Sequence, residues 1–289
     1  MRYACVVWLI AGCGFSAPAA PAGGDPGGDG SDPPGSGSGS SDAAQCDASD
    51  PALRLCVSFG TAPMAQDLAP ASHAVAEMAG VAQLTALLPI ANSLTGTAGS
   101  FSAASRLRFA ESADFDVSEL TVDLWMSPQS TPGNGAHYWM LDNNSQYYAS
   151  YDHNNTVRCG IGGTSVNSQD TLASGSWHHV ACTYGPADQT LRVYVDGSVS
   201  GCARVQTGIP LNGKDGIAIG ANYAPAPPNP NPNAPTGNYT ENFLGGMEGL
   251  HLFARALTPD EICQAAGKTG CNAKCPDGGP GPSDPGGRT

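Results

Sequence analysis

Between about Cys46 and Cys275 the large apolar residues fall at every second position rather than every third or fourth. A period of two is the repeat of a strand with one face in a core and the other outside, and it argues against a helical bundle. Leu53-Arg54-Leu55-Cys56-Val57-Ser58-Phe59 is one such run. Leu107-Arg108-Phe109, Leu120 to Met126, Val180 to Tyr184, Leu191-Arg192-Val193-Tyr194-Val195 and Ile217-Ala218-Ile219 are others. Turn chemistry separates them at Pro132-Gly133-Asn134-Gly135, Gly185-Pro186-Ala187-Asp188 and Asp196-Gly197. Many short strands with frequent turns predict an all-β antiparallel sandwich or jelly roll. Ser72 to Leu88 is Ala-rich and reads as strands interrupted by Gly80. Thr258-Pro259-Asp260-Glu261 combines an N-cap Thr, Pro at the first helical position and Glu three residues after the cap. That capping box predicts a short C-terminal helix through Ala266.

The ends follow different rules. Arg2 precedes the apolar stretch Ala4 to Ala11, which is long enough for an export signal and too short to span a bilayer. Leu9-Ile10-Ala11-Gly12-Cys13 resembles the bacterial lipobox, in which the Cys becomes the first residue of the mature chain and carries lipid. Residues 1–12 therefore read as a lipoprotein signal peptide, with Cys13 as the lipidation site. Residues 13–45 read as a lipid-anchored disordered linker. The Gly, Ser and Pro of this stretch cannot offset their ordering entropy, and a coil of this length spans roughly 30 Å. Residues 46–275 are the folded domain, and 276–289 are a disordered Gly/Pro-rich tail. Gly14 stands where an Asp would signal inner-membrane retention in enteric bacteria, so the expected place is the outer membrane or cell surface, reached through the N-terminal lipid. The 38 Gly and 24 Pro of the 289 residues are concentrated in these ends and in the Pro/Asn loop Pro225 to Asn233. That loop is expected to project over the sheet rim. The net charge of −13 argues against a nucleic-acid partner, because phosphate binding needs clustered Lys and Arg.

Of the ten cysteines, Cys5 leaves with the signal and Cys13 takes the lipid. Cys46, Cys56, Cys159, Cys182, Cys202, Cys263, Cys271 and Cys275 remain. An even set in an exported chain predicts four disulfides, whose pairing the spacing leaves open. Cys159, Cys182 and Cys202 lie in strand-like segments and the others at the domain edges. At least one bond must therefore join the two groups. Cys271-Asn-Ala-Lys-Cys275 lacks the second pair and the His spacing of a zinc finger.

Four segments carry a family resemblance. They are Leu55 to Phe59; Leu107-Arg108-Phe109 followed by Asp116 to Trp125; Gly175-Ser176-Trp177-His178-His179-Val180-Ala181 continuing to Tyr194-Val195-Asp196-Gly197; and Gly245 to Leu257 ending at Glu261-Ile262. In this order the series resembles the laminin-G-like, concanavalin A-like jelly roll of bacterial surface proteins, over roughly Leu53 to Ala266. The resemblance implies two antiparallel sheets packed face to face, one of them concave. Trp177 is expected to begin a core strand. The resemblance also implies a calcium ion, and the matching positions are Asp67 and Glu248. This chain departs from the family pattern there: Glu248-Gly249 stands in place of Asp-Glu, so a carboxylate is missing.

Catalytic patterns are weak. A retaining glycosidase needs two carboxylates about 5–5.5 Å apart. The Glu-x-Asp-x-(x)-Glu strand of the glucanase branch is absent. Glu111, Asp114, Asp116 and Glu119 read as an acidic loop. There is no Gly-x-Ser-x-Gly elbow and no His-Glu-x-x-His. His178 and His179 are adjacent on a strand, face opposite ways, and read as structural. Ligand chemistry is richer in two stretches: Tyr138 to Asn144 running on to Tyr147-Tyr148 and Tyr151 to Asn155, and Asn222-Tyr223 with the Pro/Asn loop to Asn238-Tyr239-Thr240. Aromatic rings with Asn and Asp beside them suit a glycan. The candidate ligand residues are Tyr138, Asp142, Asn143, Tyr147, Tyr148, Asn222 and Tyr239. Alternation lets only half of the strand aromatics face a ligand, and Trp139 is expected in the core. The leading expectation is a non-catalytic, membrane-anchored surface module for a glycan or extracellular protein. A structural envelope lipoprotein and a degenerate glycoside hydrolase are the alternatives.

Overall fold

The computed structural model describes residues 46–59, 64–84, 98–144, 146–211, 216–225 and 237–276. The expected signal peptide, the expected lipidation site Cys13, the expected linker, most of the Pro/Asn loop and nearly all of the expected tail lie outside the described residues. The strands in chain order are β1 (Leu53–Ser58), β2 (Gln66–Asp67), β3 (Val75–Ala79), β4 (Ala82–Leu84), β5 (Ala98–Phe101) and β6 (Arg106–Phe109). They continue with β7 (Leu120–Pro128), β8 (His137–Asn143), β9 (Tyr147–Asp152), β10 (Val157–Ile161), β11 (Thr164–Asn167) and β12 (His178–Gly185). The last are β13 (Thr190–Val195), β14 (Ser198–Arg204), β15 (Ile217–Ile219), β16 (Asn222–Pro225), β17 (Gly237–Thr240) and β18 (Gly245–Phe253), followed by helix α1 (Pro259–Ala265).

These strands make an antiparallel sandwich. Sheet one runs β14-β13-β12-β7-β18-β1-β2, with β5 on the other part of β18 and β4 outside β5. Sheet two runs β11-β10-β9-β8-β15-β6-β3, and β16 and β17 form a separate ribbon. Between the sheets, Leu120, Val122, Leu124 and Met126 of β7 meet Leu141, Tyr147, Ala149 and Cys159 of sheet two in one continuous core. The alternation of the sequence is the alternation of these faces.

Gly80 separates β3 from β4 as expected, and the two strands belong to different sheets. Its φ is +65°, and a Cβ would lie 2.7 Å from the Ala104 carbonyl oxygen. Only glycine fits both demands. At the far end Thr258 and Glu261 form the anticipated capping box on α1. The helix places Ile262, and the segment before it Leu257, with Ala181, Tyr194 and Val199 on the outer side of sheet one. Asp196 and Gly197 both take positive φ in the β13–β14 turn. Trp177 departs from expectation: strand β12 starts one residue later, and the indole packs on Gly246 of β18. It shares the outer face of sheet one with His179, two residues on, while Val180 enters the core.

All eight candidate cysteines pair: Cys46–Cys56, Cys159–Cys182, Cys202–Cys275 and Cys263–Cys271. Cys159 is on β10 and Cys182 on β12, so that bond crosses the core between the sheets. Cys202–Cys275 is the link between strand and edge cysteines that the arithmetic required. Four disulfides are the chemistry of an oxidising, extracytoplasmic compartment. Among the described residues no helix is long and apolar enough to cross a membrane.

Candidate functional site

The outer face of sheet two collects aromatic, cationic and carboxylate side chains in register. One row crosses the sheet as Gly160, Tyr148, Asp142, Ala218, Arg108 and Glu77, each opposite the next. The neighbouring row holds Asn167, Arg158, Ser150 and Trp139. Their sequence neighbours Tyr147, Ala149, Cys159, Ile219 and Phe109 point into the core, so these residues point out.

Trp139 and Tyr148 are the centre of the face, with ring centroids 4.8 Å apart. A Cβ on Gly160 would fall 2.1 Å from the Tyr148 ring, so the absent side chain is what lets the ring lie down on the strand. The Arg158 guanidinium is 5.9 Å from the Tyr148 centroid and donates to Ser165 Oγ at 2.9 Å. Trp139 Nε1 donates to Glu241 Oε2 at 2.8 Å, and Asn222 Nδ2 reaches the same oxygen at 3.4 Å. His137 Nδ1 is 2.7 Å from Asp152 Oδ1, and Asn167 donates to Asp152 Oδ2 at 2.9 Å. Two half-buried ring faces are thus bordered by fixed donors and acceptors. Such a surface can stack on the polarised C–H patch of a sugar ring while the rim reads hydroxyls.

A second aromatic pair continues the face towards β3. Tyr223 and Tyr239 lie opposite each other in the ribbon, 5.2 Å apart. Arg108 is 5.0 Å from the Tyr223 centroid and Arg106 is 6.0 Å from that of Tyr239. Tyr239 donates its hydroxyl to Glu77 Oε2 at 2.8 Å. Burial, and then the Glu77 carboxylate, raise the Tyr239 phenol above its ordinary value. A cavity of about 300 Å³ beside it is lined by Arg106, Asn238, Tyr239 and Asn242.

The expected ligand residues divide accordingly. Tyr148, Asn222 and Tyr239 are on or beside this face. Asp142 is also outward but buried, with Oδ2 accepting the Tyr223 backbone N–H at 3.0 Å, so it positions the ribbon. Three residues need correction. Tyr147 is fully buried and donates to the Phe115 carbonyl at 2.9 Å, and burial raises its phenol. Asn143 is buried beside it and donates to Gln146 Oε1 at 2.5 Å. Tyr138 packs its ring against the core. Trp139, expected inside, is outside because a bulge between Trp139 and Leu141 shifts the alternation. His137, Arg158 and Glu241 were missed, while Trp139 and Asp152 lie in the ligand-like stretch but were not among the candidate residues. Arg158 could have been found, since it alternates with the core residues Val157 and Cys159 on its own strand. The bulge and the distant Glu241 leave no such signal.

The carboxylates named for calcium and for catalysis are held by other partners. Asp67 Oδ1 accepts from the backbone N–H groups of Cys56 and Ala69, both at 2.9 Å. Its Oδ2 accepts the His73 N–H at 2.8 Å and faces His73 Nδ1 at 2.8 Å. Four partners fill the carboxylate. Asp67 pairs with the core residue Val57, whereas Glu248 follows the core residue Met247 and pairs with Trp125 on the outer face. The two carboxylates do not fit one shared calcium ion. Glu111 accepts from the Gly216 N–H, Asp114 faces His73, and Asp116 accepts from Gln146. His178 and His179 face opposite ways, His178 to Asp196 at 3.1 Å and His179 to Asp123 at 3.3 Å. Burial alone would raise the Asp123 carboxyl; His251 and His179 outweigh it and hold it well below the usual carboxylate range.

A family model described as the concanavalin A-like lectin/glucanases superfamily matches residues 101–263. The Mus musculus sushi, von Willebrand factor type A, EGF and pentraxin domain-containing protein 1 is 24% identical over 146 residues, 50% of this chain and 4% of that protein. Its Rattus norvegicus counterpart is 23% identical over 161 residues, 55% of this chain and again 4% of that protein. The chain therefore spans only a small part of these curated relatives. Among solved structures, the binding domain of Paraclostridial Mosquitocidal Protein 1 superposes with a TM-score of 0.56 at 13% identity, over 74% of this chain and 51% of that one. A botulinum neurotoxin type C structure gives 0.54 at 15%, over 75% and 51%. Domain 4 of an extracellular arabinanase from Geobacillus stearothermophilus gives 0.50 at 16%, over 74% and 98%. At these identities the likeness is one of fold. The family match covers more than half of the chain, which therefore belongs to the concanavalin A-like lectin/glucanase superfamily.

Proposed function

We propose that the protein is a non-catalytic, surface-displayed binding module that takes a glycan on the outer face of sheet two, held to the envelope by lipid on Cys13. The observation that carries this reading is the Trp139–Tyr148 platform, half-buried and bordered by Arg158, His137 and Glu241. Half-buried ring faces on the outside of a sheet, bordered by polar groups, suit a stacked ligand. The same fold carries glycan ligands elsewhere: the arabinanase domain was solved in complex with arabinotriose, and cell entry of botulinum neurotoxin type C is described as dependent on interaction with two ganglioside molecules. The scattered engagement of Glu111, Asp114 and Asp116 supports binding without turnover.

The test is a glycan array probed with the protein, followed by Trp139→Ala and Tyr148→Ala. Each stacked ring contributes about 1.5–3 kcal/mol of burial, so each variant should bind its glycan at least ~10-fold more weakly with an unchanged circular-dichroism spectrum. A silent array, or variants that bind as the parent does, would remove this face from consideration.

A further inference from the structure

A different group lies on the outer face of sheet one, and it does not depend on the glycan reading. Register places Cys56 of β1, His251 of β18 and Asp123 of β7 side by side in one row. Cys56 is bonded to Cys46. The two sulfurs and a ring nitrogen of His251 all lie within 4.8 Å of one another, and all three residues are buried. His251 Nδ1 is 3.3 Å from Asp123 Oδ2. That contact turns Nδ1 to the carboxylate and leaves Nε2 as the nitrogen available to a ligand. Nε2 has no hydrogen-bond partner, and its side chain is only 9% exposed. An unpaired polar atom at that depth calls for a physical cause. A carboxylate behind an imidazole, with the other nitrogen free, is how a metal-ligating His is held. The sulfurs beside it are two of the right partners, but in the wrong oxidation state: a disulfide has no thiolate to offer.

We propose that reduction of the Cys46–Cys56 bond turns this group into a binding site for zinc or a similarly soft divalent cation. Cys46 Sγ, Cys56 Sγ and His251 Nε2 are the three protein ligands, and water completes the tetrahedron. Asp123 is a positioning residue, shared with His179 Nε2 at 3.3 Å. A dithiol reductant supplies two electrons and two protons; the S–S bond breaks, two protein thiols form, and the reductant becomes a disulfide. The cation then displaces one proton from each thiol as the thiolates ligate it, and His251 binds it through the Nε2 lone pair. Two thiolates and one imidazole are a set that zinc accepts. The Cα atoms are 5.9 Å apart, so rotation about the side chains separates the sulfurs without moving strand β1.

Cobalt(II) is the probe, because thiolate ligation gives it a charge-transfer band. The full chain is reduced with a phosphine, which takes up oxygen from water as it opens disulfides, and is titrated with cobalt(II) alongside Cys46→Ser/Cys56→Ser and His251→Gln. The reduced parent should take up one more cobalt than the double Ser variant, and His251→Gln should bind it at least ~10-fold more weakly. Asp123→Asn should weaken binding ~10–100-fold with the band retained. Because reduction can loosen the fold, thiol alkylation with and without zinc, mapped by peptide mass spectrometry, is the second readout. Protection by zinc confined to Cys46 and Cys56, and lost in His251→Gln, supports the site. Protection spread over all eight cysteines, or none at all, or equal cobalt uptake by parent and double Ser variant, overturns it.

Discussion

Tyr147 and Tyr148 are adjacent in the chain and occupy different surroundings. The Tyr147 ring is in the core and its hydroxyl satisfies the Phe115 carbonyl; the Tyr148 ring lies outside on Gly160. Tyr147→Phe leaves the buried Phe115 carbonyl with only its longer contact from Asn143 at 3.4 Å, and should cost about 1–2 kcal/mol in urea unfolding. Tyr148→Phe should leave stability within about 0.5 kcal/mol of the parent, since it changes only a surface hydroxyl. Equal losses for the two would contradict the assignment of faces. Asn143 illustrates the same point: the residue type suits a ligand, but its place in the alternation puts it inside.

At the scale of elements, the strands were legible wherever alternation was unbroken, as in β1, β7 and β13. The capping box made α1 legible as well. What was not legible is the irregular backbone. The bulge after Trp139 reverses the face of a whole half-strand, and no residue there announces it. The assignment of β3 and β4 to different sheets was equally hidden, although Gly80 marked the break between them. The helix also permits a pH test. Arg255 donates to Glu261 and, against some burial, pushes its carboxyl down from the ordinary value of 4.5 to about 2. The folded pKa is depressed, so this stabilisation is complete above about pH 4.5 and disappears as pH falls through about 2. The pair is partly solvent-exposed, so screening leaves about 1 kcal/mol or less. Glu261→Gln should therefore lower the Tm at pH 7 slightly and converge with the parent near pH 2; a constant gap across that range would refute the coupling.

On the scale of the whole molecule, the count of disulfides could be read from the chain but the pairing could not, because it depends on which strands become opposite layers. Replacing Cys159 and Cys182 together with Ala should lower unfolding free energy by about 2–4 kcal/mol, measured by urea titration under non-reducing conditions. Calcium is the other global expectation. Since Asp67 is saturated and Glu248 faces the other way, millimolar calcium should leave the Tm unchanged, and a rise of several degrees would call for a different ligand set. The crossing bond has a mechanical meaning too. Cys56 anchors residue 46 to the outside of one layer, and the aromatic platform is on the outside of the other. On the proposed reading, a pull between a lipid tether leading to residue 46 and a captured glycan would pass through the thickness of the sandwich, and Cys159–Cys182 would give that load a covalent path between the layers.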